Sequence, residues 1–221
     1  MVNSIDGISV NHYSRKYQIT NEVLNAVTHG IGTILAIIGT VLLIFKAIQN
    51  ESLLEINTYI IYGASMCFLY LASTLYHSFS FTRMAPIFKV IDHSSIFLLI
   101  AGTYTPFCLL AIGGKLGWFI CISQWIIALA GVFMKIFFLK ETKKYSTALY
   151  ILMGWLVIFA IKDVILSLGT WGSILLVLGG IFYTVGTIFY ANAHKHYWHV
   201  IWHIFVILGS MAMYFSIYYF V

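Results

Sequence analysis

The chain has 221 residues, of which 61% are hydrophobic and 9% are charged. Soluble proteins carry about 25% charged residues, so this composition excludes an ordinary soluble domain and indicates that lipid surrounds most of the chain. The formal net charge is +5, but the Lys and Arg residues are scattered between apolar runs and form no dense basic stripe. The charge pattern therefore argues against nucleic acid as a partner.

Residues 1–22 form a polar segment of mixed character. The segment has no basic stretch leading into a short apolar run and no small-residue cleavage site, so we do not expect a cleaved signal peptide. The first apolar helix is expected to act as its own insertion signal. We divide the chain into this short polar segment and a transmembrane domain, residues 23–221.

Seven apolar runs follow in chain order, each near the length of about 20 residues that a helix needs to cross a bilayer. They cover residues 24–46, 58–80, 88–111, 116–139, 146–166, 170–191 and 198–220. The connections between them are short and leave no room for a domain outside the membrane. The sequence thus predicts an all-α, polytopic membrane protein with a bundle of seven transmembrane helices.

Basic residues beside membrane helices tend to stay on the cytoplasmic side. Nine of them flank the amino terminus and the second, fourth and sixth loops: Arg15, Lys16, Arg83, Lys89, Lys135, Lys140, Lys143, Lys144 and Lys195. The other three are Lys46, Lys115 and Lys162. This asymmetry predicts a cytoplasmic amino terminus and, with seven crossings, an extracellular carboxyl terminus. The expected location is the plasma membrane.

The third predicted helix contains Pro106 shortly after Thr103 and Thr105. Proline removes one backbone hydrogen bond of a helix, and neighbouring threonine hydroxyls can bind the carbonyl that is left unpaired. The sequence therefore predicts a kink near Pro106.

Six ionisable side chains lie well inside the predicted helices, where such groups are costly and indicate function by default. They are His29, His77, Asp92, His93, His199 and His203. In the predicted topology, the helical rise of about 1.5 Å per residue places five of them, all except His93, at similar depths near the cytoplasmic face. The sequence thus predicts one polar cluster at that depth.

The spacing of His199 and His203 places two imidazoles on one helical face, about 5–6 Å apart. His77 can supply a third nitrogen from a neighbouring helix. Three histidine nitrogens with one open position are typical of a catalytic zinc site, so we predict Zn²⁺ on these three residues. Asp92 is the candidate general base for water at the metal, and Ser73, one turn before His77, can hydrogen-bond within the site.

Several histidines have an alternative interpretation. A histidine in a helix bundle also serves as an interhelical hydrogen-bonding group without metal, and this alternative stays open for His29. His194 and His196 lie in the short loop before the last helix, where a solvated polar segment is the simpler explanation. His93 points about 100° around its helix from Asp92, so we interpret it as a supporting or structural residue.

Four polar segments together resemble a known family. They are NEVLNAVTHGIG, ASTLYHSF, FKVIDHSSIFLLIAGTYTPF and WHVIWHIFVILGS. In this order they resemble the bacterial hemolysin III family, which belongs to the wider group of progestin and adipoQ receptors and looks related to alkaline ceramidases. The similarity covers the chain from about Glu22 to the carboxyl terminus.

The resemblance implies a seven-helix bundle with a cytoplasmic amino terminus and a zinc ion near the inner leaflet. In the related receptors and ceramidases, three histidines bind zinc, and an aspartate and a serine serve the water on it. The motifs match these roles to His77, His199, His203, Asp92 and Ser73.

A first-helix signature of the same family matches Glu22, Asn25 and His29. Neither the residues nor the resemblance assigns a role to these three side chains.

Three functions follow as hypotheses. The leading one is a zinc-dependent membrane hydrolase that acts on an amide or ester of a membrane lipid. The second is a non-catalytic sensor or regulator of membrane lipid state, in which zinc is structural and Asp92 closes the site as a fourth ligand. The third is a cytolytic pore, which the single polar layer argues against, since pore linings repeat polar residues along several helices.

Overall fold

The computed structural model describes residues 13–221, and this part of the chain is helical without strands. The helices are α1 (Arg15–Gln49), α2 (Leu53–Ser78), α3 (Ala85–Pro106), α4 (Gly114–Phe137), α5 (Leu139–Trp155), α6 (Ile161–Ala191) and α7 (Trp198–Phe220). A π-helical segment, Phe107–Ile112, continues α3, and a 3₁₀ segment, Leu156–Ala160, joins α5 to α6.

Six helical segments within residues 13–221 are long and apolar enough to cross a membrane. Five of them correspond to single predicted helices. The sixth, Tyr145–Ala191, is 47 residues long and combines the fifth and sixth predicted helices. Its backbone leaves the helical conformation at Gly169, where φ is 62° and ψ is −170°. Side chains rarely adopt this conformation, so glycine is the residue suited to it, and it lies in the gap predicted between residues 166 and 170.

The first helix begins earlier than predicted. Residues 1–12 of the polar segment lie outside the described residues, and α1 starts at Arg15 rather than near residue 24. The Ser14 hydroxyl accepts a hydrogen bond of 3.2 Å from the Tyr17 amide, which is a favourable N-cap for this start. The added turns carry Asn21 and Glu22, both buried.

The core lies between α1, α2, α3, α6 and α7. Buried apolar side chains from all five meet there, for example Leu43, Tyr62, Leu99, Leu176 and Val206. Many large apolar side chains on the outer faces are more than half exposed, among them Ile34, Phe45, Phe119, Phe159 and Leu166. Such faces are suited to contact with lipid.

The predicted break at Pro106 takes the form of a change in helix type. The chain continues beyond Pro106 as the π-helical segment, which is one way a helix absorbs an interruption of its hydrogen bonds. The Thr105 hydroxyl donates to the Ala101 carbonyl at 2.9 Å, and the Thr103 hydroxyl donates to the Leu99 carbonyl at 2.7 Å. Threonine hydroxyls therefore bind backbone carbonyls in this region, but these are the carbonyls of Leu99 and Ala101 rather than that of Gly102, the carbonyl that Pro106 leaves without its helical partner.

Candidate metal centre

Two helices bring three histidines together at one end of the bundle. His77 lies in the last turn of α2, whereas His199 and His203 lie in the first turns of α7. The candidate ligand atoms of the three residues all lie within 4.8 Å of one another. Imidazoles at these separations can converge on one ion after small rotamer adjustments. The structure therefore brings together the three residues that the sequence singled out.

The two ring nitrogens of His77 have different surroundings. Its Nδ1 lies 2.8 Å from Oε2 of Glu22, and both side chains are buried. Its Nε2 is also buried and has no hydrogen-bond partner among the residues described. Buried polar atoms are normally satisfied, and a ring nitrogen whose partner nitrogen is held by a carboxylate is the usual form of a metal-binding histidine. The donor set fits a zinc ion.

The His203 ring, 1% exposed, contacts α1. Its Nδ1 lies 3.2 Å from the Thr28 hydroxyl and 3.3 Å from the Asn25 carbonyl oxygen. One face of the ring stacks on His29, with centroids 3.5 Å apart and planes 10° apart. His29, which the sequence left between a ligand and an interhelical hydrogen-bonding group, thus packs against a candidate ligand and stands outside the group of three.

Asp92, Ser73 and His93 line a cavity beside the histidines. None of the three belongs to the group of candidate ligand atoms found in residues 13–221. Asp92 and His93 were expected to point in different directions, yet both border the same cavity. The Tyr150 hydroxyl donates to the His93 carbonyl at 3.1 Å, which ties this part of α3 to α5.

The cavity itself is largely apolar and has a volume of about 110 Å³. His199 and His203 border it together with side chains of α3, α5 and α6. A second apolar cavity, of about 190 Å³, lies next to it and extends to Ile112 and Ile161. The two cavities share a set of lining residues: Thr103, Tyr104, Gly154, Trp155, Gly180 and Met213. The two apolar cavities are thus neighbours between the helices.

Sequence reasoning missed two contacts of the site. It singled out Glu22 without a role, and it did not name Thr28. The spacing of Glu22, Asn25 and His29 was the available signal, since residues three, four and seven apart share one face of a helix. His194 and His196, interpreted as loop residues, are exposed in the turn before α7.

Comparison with known proteins identifies the family of this chain. Residues 17–214 match the profile of the family described as "Haemolysin-III related". The chain belongs to this family. The match covers every helix that contributes to the histidine cluster, and with the apolar helices it identifies a multi-pass protein of the cell membrane.

Proteins similar to this haemolysin-III family member come from bacteria and mammals. "Hemolysin-3 homolog" of Bacillus subtilis (strain 168) is 47% identical over 201 residues, which are 91% of this chain and 94% of the relative. "Hemolysin-3" of Bacillus cereus is 44% identical over 203 residues, covering 92% and 93%. "Monocyte to macrophage differentiation factor" of Homo sapiens is 28% identical over 204 residues, covering 87% and 81%.

Proposed function

We propose that this haemolysin-III family member holds Zn²⁺ on His77, His199 and His203 and hydrolyses an amide or ester bond of a membrane lipid. The observation that carries the proposal is the position of the cluster: three histidines have ligand atoms within 4.8 Å of one another, and two of them, His199 and His203, line a largely apolar cavity. An apolar lining is suited to contact with part of a lipid chain.

Zinc fits these ligands, because imidazole nitrogens suit it and a catalytic zinc commonly takes three protein ligands. When bound, zinc supplies a Lewis acid that polarises a carbonyl group. The protein supplies the remaining parts of the site. Asp92, a carboxylate on the cavity wall, would accept a proton from the attacking water.

The other cavity residues position the substrate. Ser73 is buried and borders the cavity, so its hydroxyl can hydrogen-bond the polar group of a lipid next to the histidines. The apolar walls, with Ile96, Leu99 and Val206 among them, accommodate an acyl chain and exclude bulk water. Exclusion of water strengthens the electrostatic interactions within the site.

The alternative function, a regulator with a structural zinc, needs a closed four-ligand site. Among the described residues, the group of candidate ligands comprises three histidines and no carboxylate. An open fourth position is typical of catalytic rather than structural zinc. This difference favours the hydrolase, with Asp92 as base rather than as fourth ligand.

We also propose seven membrane crossings, with the amino terminus in the cytoplasm and the carboxyl terminus outside. Support comes from the length of Tyr145–Ala191: 47 residues of helix would span about 70 Å, whereas the hydrocarbon core measures about 30 Å. The break at Gly169 divides this segment into two parts of sufficient length. The asymmetry of basic residues supports the sidedness.

Metal analysis of purified protein tests the proposed site. We expect about one zinc per chain in the wild type, and none in His77→Ala or His199→Ala, because two nitrogens hold zinc poorly. His194→Ala, a change to an exposed loop histidine, is the matched control and should retain the metal. Zinc that persists in both ligand variants would exclude this site.

Lipid turnover tests the proposed reaction. Wild-type protein in vesicles that contain ceramides and acylglycerols should release free fatty acid, measured by mass spectrometry. Asp92→Asn should retain zinc and lose about 10²–10⁴-fold in rate, the usual contribution of a general base. Full activity of the Asp92→Asn variant would show that Asp92 is not the general base. A wild type that holds zinc but turns over none of the lipids would favour the alternative function, a regulator with structural zinc.

A further inference from the structure

Helix α1 supplies none of the three candidate ligands, yet one of its faces is polar and buried. Glu22, Asn25 and His29 are 4%, 0% and 3% exposed, and their spacing of three and four residues places them on one side of the helix. Buried ionisable groups in a membrane helix are costly unless they have partners. This face contacts the histidines of α2 and α7: Glu22 pairs with His77, the backbone carbonyl of Asn25 contacts His203, and the His29 ring stacks on His203.

The contacts of Thr28 determine which nitrogen of His203 carries the proton. The Thr28 hydroxyl donates to the Leu24 and Asn25 carbonyls, both at 2.9 Å. With that proton on either carbonyl, a lone pair of the Thr28 oxygen is available to accept a hydrogen bond from Nδ1 of His203. The Asn25 carbonyl, the second neighbour of that nitrogen, is only an acceptor. Nδ1 of His203 therefore carries the proton, and Nε2 retains its lone pair.

Glu22 has the same effect on His77. A carboxylate in its ionised form only accepts hydrogen bonds, so with Glu22 in that form the 2.8 Å contact between its Oε2 and Nδ1 of His77 places the proton on that nitrogen. The other oxygen of Glu22 accepts a hydrogen bond of 3.4 Å from the Asn21 amide. Nε2 of His77, buried and without a hydrogen-bond partner in the described part of the chain, then retains its lone pair.

We propose that α1 is the element that orients the metal ligands, with Glu22 as the positioning residue for His77 and with Thr28 and the Asn25 carbonyl in the same role for His203. Both histidines are fixed in the tautomer that presents Nε2 to the ion. This inference rests on the metal-binding part of the proposed function and assigns a role to the first-helix residues. The carboxylate also places negative charge close to the cation.

The affinity for zinc tests this role directly. Protein purified in detergent is titrated with zinc in competition with a chromophoric chelator. Glu22→Gln keeps the size of the side chain but removes its charge, and we expect zinc to bind about 10–100-fold more weakly, as for other residues that support metal ligands. Glu55→Gln is the matched control: Glu55 lies at the opposite end of α2, paired with Asn50, and its replacement should leave the affinity unchanged.

A second pair of variants tests the contact with His203. Thr28→Val removes the hydroxyl and should weaken zinc binding by a smaller factor, because the Asn25 carbonyl remains. Thr28→Ser keeps the hydroxyl and should restore wild-type affinity. A merely structural role predicts a lower melting temperature of the metal-free protein with unchanged zinc affinity, which would overturn the proposal.

Histidine ¹⁵N NMR provides the readout closest to the mechanism. In the metal-free wild type, the signals of His77 and His203 should report a proton on Nδ1, and in Glu22→Gln the His77 signals should shift toward a mixture of tautomers. If Glu22→Gln changes neither the tautomers nor the zinc affinity, the proposal that α1 orients the metal ligands is wrong, even if the wild type hydrolyses lipid. If Glu22→Gln binds zinc more weakly but the wild type turns over no lipid, the orienting role of α1 is supported and the proposed hydrolase activity is contradicted. A wild type that binds no zinc would overturn both.

Discussion

Imidazole has two nitrogens, and the site uses both. In His77 and His203, one nitrogen faces an acceptor on α1, which leaves the other directed at the cluster. His93 is different, because its ring lies outside the group of candidate ligands even though it borders the same cavity. Position along the chain alone does not separate His93 from the ligands, since it lies at a similar depth.

This difference predicts opposite effects of two histidine replacements. His93→Ala should retain about one zinc per chain, whereas His203→Ala should lose it, because only the latter removes a ligand nitrogen. Metal content of the folded, monodisperse protein is the measurement. Loss of zinc from a folded His93→Ala variant would show that His93 belongs to the ligand set.

At the scale of elements, the junction of α5 and the 3₁₀ segment is stabilised by other helices. The hydroxyl of Tyr104 on α3 donates to the Gly154 carbonyl and accepts from the Val157 amide, both at 2.8 Å. The amide of Gln124 on α4 donates to the Met153 carbonyl at 2.7 Å. These bonds satisfy backbone groups that a change of helix type would leave unpaired within an apolar environment.

Tyr104→Phe should therefore destabilise the protein. The replacement keeps the ring but leaves the Gly154 carbonyl and the Val157 amide without this partner, at about 0.5–1.5 kcal/mol for each hydrogen bond lost. Thermal unfolding in detergent should show a lower melting temperature for Tyr104→Phe and no change for Tyr219→Phe, whose ring is 65% exposed. Equal melting temperatures would mean that water or lipid satisfies the junction.

At the scale of the whole molecule, the proposed topology places the carboxyl terminus outside the cell. A carboxyl-terminal alkaline phosphatase fusion should be active, and the matching green fluorescent protein fusion should be dark, since each reporter works on only one side of the membrane. A fluorescent, phosphatase-negative carboxyl terminus would indicate six crossings instead of seven. A fusion after residue 169 would then locate the segment that fails to cross.

Hydropathy located the apolar helices because a bilayer imposes one length on every crossing. The predicted boundaries of α7, residues 198–220, agree with Trp198–Phe220. The start of α1 was predicted too late, since the turn that contains Glu22 is polar and was interpreted as part of the amino-terminal segment. Its polarity is explained by contact with His77, which hydropathy does not detect.

The sequence by itself determined which side chains are too polar for their surroundings, because the cost of placing them in lipid depends on residue type and depth alone. It therefore selected the residues of the candidate site. Only the tertiary structure decided which of them meet, because the rotation of each helix about its axis follows from packing against its neighbours. Because packing sets these rotations, Glu22 faces His77, and His93 lies outside the group of candidate ligands.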